Sequence, residues 1–182
     1  MAKALALTKE NIVLSAVKLI NDEGYSALNA RSLAKKIGIS TKPLYRIYEN
    51  MDEIKKDVLA EIYRQYDEFI NSKIDSKNAI LTLCISYVEF ANSYKNLFSS
   101  LFLSDNLKWN KIEDVFDEKW NQSTIINLVN KHGYTFEEAK DLFLHMWLYS
   151  NGLATLVATN QIILDEETIT VKLVKTYKSL VK

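Results

Sequence analysis

The sequence contains few of the residues that interrupt regular structure or cross-link a chain. Its 182 residues include one cysteine, one proline and four glycines. A single cysteine excludes an intrachain disulfide and favours a reducing compartment. With 48% hydrophobic residues and so little proline and glycine, the composition predicts a globular, strongly helical chain. Cys84 lies in an apolar run, where a buried and unreactive thiol is expected.

Long apolar runs are also missing. No stretch of 18 apolar residues occurs, and the longest candidate, around residues 152–164, is broken by Thr155, Thr159, Asn160 and Gln161. The N-terminal stretch M-A-K-A-L-A-L-T-K-E-N has neither the apolar core nor the cleavage site of a signal peptide. We therefore expect a cytoplasmic protein that does not associate with a membrane.

Sequence motifs for catalysis and for metal or cofactor binding are missing as well. His132 and His145 have no glutamate three or four positions before them, so the usual helical metal-binding spacing is absent. The sequence contains no phosphate-binding loop, no G-x-S-x-G and no dinucleotide glycine pattern. The expectation is a protein that is not an enzyme and needs no cofactor or metal.

The net charge is zero, but the charges are unevenly distributed. Residues 1–48 carry eight lysines and arginines against three acids, a net charge of +5. Residues 49–182 carry 15 basic and 20 acidic residues, a net charge of −5. A basic segment at one end of an acidic chain is expected where that end meets phosphate.

The stretch N-A-R-S-L-A-K-K-I-G-I-S-T-K-P-L-Y-R-I-Y, residues 29–48, predicts two short helices separated by a glycine turn. Asn29 suits the N-cap of the first helix, and Gly38 suits the left-handed residue that ends it. Ser40 or Thr41 would cap the second. Two helices joined in this way form a helix-turn-helix, although an ordinary helical hairpin is the alternative. Basic residues away from the apolar positions favour the DNA-binding interpretation. The predicted core comprises Leu33, Ala34, Ile37, Ile39, Leu44 and Tyr48.

Residues 8–60 resemble the DNA-binding domain of the TetR (tetracycline-repressor-like) family of transcription regulators. The resemblance rests on E-G-Y-x-x-L, then R-x-L-A-x-K-I-G-I-S, then L-Y-x-x-Y-x-N-x-x-E-I. It implies an all-α fold with an N-terminal three-helix DNA-binding domain and a C-terminal helical domain for ligand binding and dimerisation. It also implies a homodimer that binds a palindromic operator in double-stranded DNA and is released by a small-molecule effector.

The same resemblance implies which residues contact DNA. Arg31 matches a position that reaches the groove, where an arginine can bind guanine through two hydrogen bonds. Two departures remove groups that usually contact DNA: Pro43 replaces a frequent Thr or Ser, and Met51 replaces a frequent Lys. Proline is tolerated there because the first N–H groups of a helix have no intrahelical partner. The predicted DNA-binding set is Arg31, Ser40, Thr41, Lys42, Tyr45 and Arg46.

A second, all-helical domain is predicted over residues 52–182, after a DNA-binding domain of residues 1–51. Its first helix, capped by Asp52, would reach about residue 74 and connect the two domains. Hydrophobic periodicity predicts further helices over residues 78–94, 97–103, 109–131, 136–159 and 166–181.

Aromatic residues are abundant in this second domain and predict a pocket for a small apolar or aromatic effector. Such pockets are mostly apolar with a few polar groups. For any single residue a plain core position is the alternative, and the resemblance favours a pocket for the set. His145 is a further polar candidate. The predicted lining is Tyr87, Phe90, Tyr94, Phe116, Trp120, Met146, Trp147 and Asn151.

Small residues near the end of the chain predict a dimer interface. Ser150, Ala154 and Ala158 are four apart beside Gly152, and with the last helix they suggest a four-helix bundle made by two chains. The leading hypothesis is a ligand-responsive, homodimeric transcription regulator, expected to act as a repressor. The alternative is a helical ligand-binding or adaptor protein that has lost specific DNA binding, which Pro43 and Met51 would support.

Overall fold

The computed structural model of the chain describes residues 7–105 and 110–181. Across these residues the secondary structure is helical, with no strand, which confirms the expected all-α class. None of the described helices is both long and apolar enough to span a bilayer. The α-helices are α1 (Lys9–Glu23), α2 (Ala30–Ile37), α3 (Met51–Lys73), α4 (Ala79–Ser93), α5 (Lys95–Phe102), α6 (Lys119–His132), α7 (Phe136–Ala158) and α8 (Glu166–Leu180). Three 3₁₀-helices cover Tyr25–Ala27, Leu44–Arg46 and Ile112–Asp117.

The described residues divide into two compact units. The first unit comprises residues 7–66 and 96–105, and the second comprises residues 67–95 and 110–181. The residues of α3 up to Tyr66 group with the N-terminal helices by their contacts. The division of the chain into domains of residues 1–51 and 52–182 stays a prediction.

In the first unit, α1 and α2 pack against each other. Thr8 caps α1 because its hydroxyl accepts a hydrogen bond from the backbone N–H of Asn11, at 3.2 Å. The Lys36 ammonium lies 2.7 Å from the Asp22 carboxylate and joins the two helices at the surface. This pairing lowers the pKa of Asp22. The buried residues of α1 are Ile12, Ala16, Val17, Leu19 and Ile20.

The long helix α3 starts one residue earlier than predicted, and its cap is Asn50 rather than Asp52. The Asn50 side-chain oxygen accepts hydrogen bonds from the backbone N–H groups of Asp52 (2.9 Å) and Glu53 (3.0 Å). The Glu53 carboxylate accepts a hydrogen bond from the N–H of Glu49, at 3.0 Å. The Asn50 side chain thus satisfies two backbone N–H groups that have no partner within the helix. Asp52 is exposed in the first turn of α3.

In the second unit, α4 is the central helix and packs against α6, α7 and α8. The single helix predicted over residues 109–131 is wrong over residues 110–118, and helix is confirmed over residues 119–131. A 3₁₀-helix is followed by an extended residue, Glu118, and only then by α6. The Asp114 carboxylate accepts the backbone N–H of Asn110 at 2.8 Å and starts a separate short helix. The Asn121 amide donates to the Val115 carbonyl at 2.8 Å, which ends that short helix beside α6. Residue 109 lies outside the described residues.

The start of α7 is confirmed. The Thr135 hydroxyl accepts from the N–H of Glu138, and the Glu138 carboxylate accepts from the N–H of Thr135, at 3.3 and 2.9 Å.

The interpretation of Ser150, Ala154 and Ala158 as a surface for a second chain is wrong. All three are buried within the unit, because this side of α7 packs against α4. Their small side chains allow two helices of the same chain to approach closely.

Candidate functional site

The turn between the two short helices is built on Gly38. This residue has φ +82°, and its N–H bonds to the carbonyls of Ala34 and Lys35 at 2.9 and 3.2 Å. The N–H of Ile39 also reaches the Ala34 carbonyl, at 2.9 Å. This Schellman arrangement satisfies the last carbonyls of α2 and turns the chain toward the next element. At the other end of α2, Asn29 accepts hydrogen bonds from Arg31 and Ser32, as expected for its N-cap.

The second helix of the motif is shorter than the sequence predicts. Residues Leu44–Arg46 form a single 3₁₀-turn, and neither predicted side-chain cap at Ser40 or Thr41 is made among the described residues. Pro43 stands at the start of the turn with φ −60°, so its ring fits the helical backbone but supplies no N–H for a cap. The hydrogen bond from the Glu49 N–H to the Glu53 carboxylate lies at the start of α3. Since α3 begins so soon after Arg46, the second helix of the motif cannot extend by another turn.

The predicted DNA-binding residues surround a buried scaffold. Leu44 and Tyr48 are buried, as are Leu33 and Ala34, whereas the other two predicted core residues of the motif, Ile37 and Ile39, are half-buried. All six predicted contact residues reach the surface: Thr41 is half-buried, and Arg31, Ser40, Lys42, Tyr45 and Arg46 are exposed.

The exposed groups of this segment are available for an external partner. The Tyr45 side chain is 46% exposed, which is high for an aromatic residue beside a packed core. Within the described part of the chain, the cationic groups of Arg31, Lys42 and Arg46 form no ion pair. By contrast, Lys36 is bound to Asp22 and does not join this set.

Sequence reasoning did not identify the partner of Tyr48. Its hydroxyl donates to the Asp57 carboxylate at 2.9 Å, and the Lys9 ammonium lies 4.6 Å from its ring centroid. Burial raises the pKa of Tyr48, and Asp57 raises it further. These contacts fix the end of the motif to α1 and α3 within the first unit. The only signal in the sequence is a tyrosine at an apolar core position, since a buried hydroxyl needs a partner.

Four of the predicted effector-binding residues form two contacting pairs in the second unit. The Tyr87 hydroxyl, on α4, donates to the Asn151 side-chain oxygen on α7 at 3.0 Å. Burial raises the pKa of Tyr87. The rings of Phe90 and Tyr94 lie 5.2 Å apart, with Phe90 buried and Tyr94 exposed. Met146 is fully buried on α7.

The other members of the set lie elsewhere in the unit. The Trp120 indole N–H donates to the carboxylate of Asp67, and Trp147 is half-buried. Phe116 lies at an open cavity of about 380 Å³. Among the described residues that line this cavity, Phe116 is the one member of the predicted set.

The sequence predicts His145 as a polar group of the effector pocket and Cys84 as a buried, unreactive thiol. His145 is exposed, and its Nδ1 lies 2.8 Å from the Asp141 carbonyl oxygen one turn earlier. Over residues 7–105 and 110–181, no group of three or more His, Cys, Asp or Glu is placed to hold a metal ion. Cys84 is buried, and burial raises the pKa of its thiol to about 12.

Comparisons with known proteins identify the fold. No protein-family model matches the chain. A putative TetR-family regulator from Vibrio parahaemolyticus superimposes with a TM-score of 0.60 and 18% identity, over 96% of this chain and 98% of that one. A TetR-like regulator from Rhodococcus sp. RHA1 gives 0.62 and 14%, over 98% and 96%. The fold is that of the TetR-family regulators.

The TetR resemblance seen in the sequence is thereby confirmed, and three further proteins similar to this chain are named regulators. The fatty acid degradation regulator FadR from Bacillus halodurans has a TM-score of 0.59 and 15% identity, over 94% of this chain and 93% of that one. The uncharacterized HTH-type transcriptional regulator YobS from Bacillus subtilis is 25% identical over 145 residues, 76% of this chain and 72% of YobS. The uncharacterized HTH-type regulator Rv0681 from Mycobacterium tuberculosis is 20% identical over 162 residues, 87% of this chain and 74% of Rv0681.

Proposed function

We propose that this chain is a transcription regulator of the TetR type that binds a palindromic operator as a homodimer. Its helix-turn-helix would contact the DNA, and a small apolar or aromatic effector bound by the second unit would weaken that contact, so that the protein acts as a repressor. The observation that carries the proposal is the exposed segment from Ser40 to Arg46, mounted on the buried side chains of Leu44 and Tyr48.

The chemistry of this segment suits a DNA groove and its flanking phosphates. Lysine and arginine neutralise phosphates, and an arginine can also bind the O6 and N7 atoms of guanine. The hydroxyl of an exposed tyrosine can donate to a phosphate oxygen. Arg46 and Tyr45 are adjacent and exposed, so both can engage one stretch of backbone while Lys42 precedes them in the turn. Pro43 removes one hydroxyl contact but keeps the backbone helical at this point.

The relatives support the same assignment. Both curated relatives are named HTH-type transcriptional regulators, and each aligns with more than 70% of its own length. The aligned part therefore includes more than a helix-turn-helix module. A regulator of this kind would be released by an effector whose coupling to DNA binding is about 1–3 kcal/mol, a change in DNA affinity of about 5- to 150-fold.

The effector site is proposed to lie around the Tyr87–Asn151 hydrogen bond in the second unit. A tyrosine hydroxyl and an amide are the kind of polar groups that orient a mostly apolar ligand. Two other members of the predicted set, Phe90 on α4 and Met146 on α7, are buried and supply apolar surface. An effector with one carbonyl or hydroxyl group could replace the Tyr87–Asn151 bond by its own hydrogen bonds.

The first test of the proposed function is selection of DNA from a random duplex library by the purified protein, followed by affinity measurements by fluorescence anisotropy across salt concentrations. We expect a palindromic site whose binding weakens linearly in a log–log plot against salt. Arg46→Ala should lower the slope by about one if Arg46 binds a phosphate, or cost about 1–3 kcal/mol at one base pair if it binds guanine.

Tyr45→Ala should also weaken binding, because it removes the exposed ring and hydroxyl from the segment. Lys172→Ala, an exposed lysine on α8, is the matched control and should leave both affinity and slope unchanged. If no selected duplex shows salt-dependent binding, the regulator assignment fails and the alternative, a helical ligand-binding protein without DNA binding, takes its place.

A further inference from the structure

A lysine in the second unit occupies a position between two aromatic rings. The Lys140 ammonium lies 4.6 Å from the ring centroid of Phe136 and 5.5 Å from that of Phe116. Both distances are within the range of about 6 Å over which a ring face attracts a cation. Phe136 is one helical turn from Lys140, but Phe116 comes from the 3₁₀-helix Ile112–Asp117. Helical spacing alone therefore does not explain the arrangement.

In the described part of the chain, the one ion pair of Lys140 is long and exposed. The nearest carboxylate oxygen, on Glu137, is 4.0 Å away and belongs to a side chain that is 87% exposed. The Lys140 side chain itself is only 31% exposed, whereas lysines normally extend into solvent. The ammonium group thus contacts two aromatic rings and one exposed carboxylate at the limit of ion-pair distance.

The two rings border the open cavity of about 380 Å³, which is within the size range of ligand sites. Among the described residues, its charged lining consists of Lys111 and Lys140 against Glu113, Asp114 and Asp117. Without the Lys140 ammonium, the described lining residues would include one lysine and three acidic residues. The cavity would then combine aromatic faces with negative potential, which is the environment that binds organic cations.

We propose that this cavity is a binding site for an alkylated ammonium ion and that Lys140 occupies it as an internal cation. An alkylated ammonium can displace Lys140, because a primary ammonium is strongly hydrated and is stabilised in water once it leaves the rings. The Lys140 side chain is already 31% exposed and lies beside the exposed Glu137, so the displaced ammonium can enter solvent. This inference does not depend on DNA binding.

The test uses the full chain with isoleucine δ1-methyl labels and choline as the probe. Ile125 and Ile126 line the cavity, so their NMR signals should shift and saturate with choline. Ile163, which is 91% exposed and lies outside the lining of this cavity, reports non-specific effects and should not shift. The neutral isostere 3,3-dimethylbutan-1-ol has the same shape without the charge and should bind more weakly by about 2- to 30-fold.

Three variants separate a site for a cation from an apolar patch covered by a lysine. Lys140→Ala should bind choline more tightly than the wild type, because no internal cation competes. Lys111→Ala removes the same charge from the cavity lining, but Lys140 still lies between the two rings. The gain in choline affinity should therefore be smaller than in Lys140→Ala. Phe136→Ala, at a 52% exposed position, should weaken choline binding by about 2- to 30-fold. Equal gains in the two lysine variants, or equal binding of choline and the alcohol, would overturn the proposal.

Discussion

At the scale of single residues, burial determines which polar groups can react. Cys84 on α4 is fully enclosed, and burial raises the pKa of its thiol from the ordinary value of 9.0 to about 12, with a contact to Ser150 acting in the opposite direction. A thiol that stays protonated is a poor nucleophile, since the thiolate is the reactive species. The lone cysteine is therefore a packing residue, as its apolar sequence context predicts.

This pKa shift predicts a pH dependence of stability. The unfolded chain loses the Cys84 proton near pH 9, but the folded chain keeps it to about pH 12, so the folded state binds more protons in between. Stability is then full below about pH 9 and falls as the pH rises, by about 1.4 kcal/mol per pH unit for one such group. Near pH 9 the buried tyrosines contribute little, because unfolded tyrosine titrates near pH 10.

The measurement is urea unfolding followed by circular dichroism from pH 7 to pH 10. Cys84→Ala removes the titrating group, so its free energy of unfolding should fall less steeply than that of the wild type above about pH 9. Truncating a buried thiol also lowers stability at every pH, and for this reason the slopes are compared rather than the absolute values. Identical slopes in the two proteins would show that Cys84 ionises normally in the folded state.

At the scale of elements, the helix-turn-helix depends on one backbone conformation. Gly38 has φ +82°, in the left-handed region where residues with a Cβ are disfavoured by about 1–2 kcal/mol. A Cβ at this position would meet no heavy atom within 4 Å, so the cost of a side chain comes from the backbone alone. The angle of this turn sets where residues 40–46 project, which links the conformation of one glycine to the proposed DNA contact.

We predict that Gly38→Ala lowers the free energy of unfolding by about 1–2 kcal/mol and also weakens DNA binding. Gly133→Ala is the matched control. Gly133 ends α6 with φ +72° and likewise has open space around it, so its substitution should cost the same stability in the second unit. DNA affinity should remain unchanged in Gly133→Ala when both variants are measured well below their melting temperatures. Equal DNA affinities for the two variants would contradict a role of the turn in binding.

Elements whose ends are encoded locally could be predicted from the sequence. Thr8, Asn29 and Thr135 each cap a helix through a neighbour two or three residues away, and the prediction of Asn29 as the N-cap of α2 is confirmed. The short second helix of the motif could not be predicted. Its length depends on where the following helix starts, and Asn50 competes successfully with Asp52 for that cap.

In the candidate site, too, features that depend on neighbouring residues could be predicted, whereas features that depend on packing between helices could not. The exposure of Arg31, Lys42, Tyr45 and Arg46 follows from helical spacing within one short segment. The partner of Tyr48 and the burial of Ser150 depend on packing between separate helices, and periodicity does not report which face of α7 meets α4. Small residues at four-residue spacing predict a close helix contact correctly but do not say whether the partner is the same chain.

At the scale of the whole molecule, exposed apolar residues on the last two helices are the support for a homodimer. With Ser150, Ala154 and Ala158 buried, the open side of α7 presents Leu148 and Tyr149. On α8, Val171 is 58% exposed. Exposed apolar groups on neighbouring helices are typical of surfaces that a second chain covers. A two-fold dimer would bring the same patch of each chain together and place two helix-turn-helix segments on one palindrome.

The dimer can be tested by placing a charge in this patch. Val171→Glu should shift the protein toward monomer in analytical ultracentrifugation, because two-fold symmetry introduces the unpaired carboxylate twice into one interface. The same variant should lose its preference for a full palindrome over a half-site, since a monomer contacts one half only. Leu14→Glu, at an exposed apolar position of α1 in the first unit, is the control and should remain dimeric. If Val171→Glu stays dimeric while Leu14→Glu dissociates, the interface lies on the first unit and the four-helix arrangement is wrong.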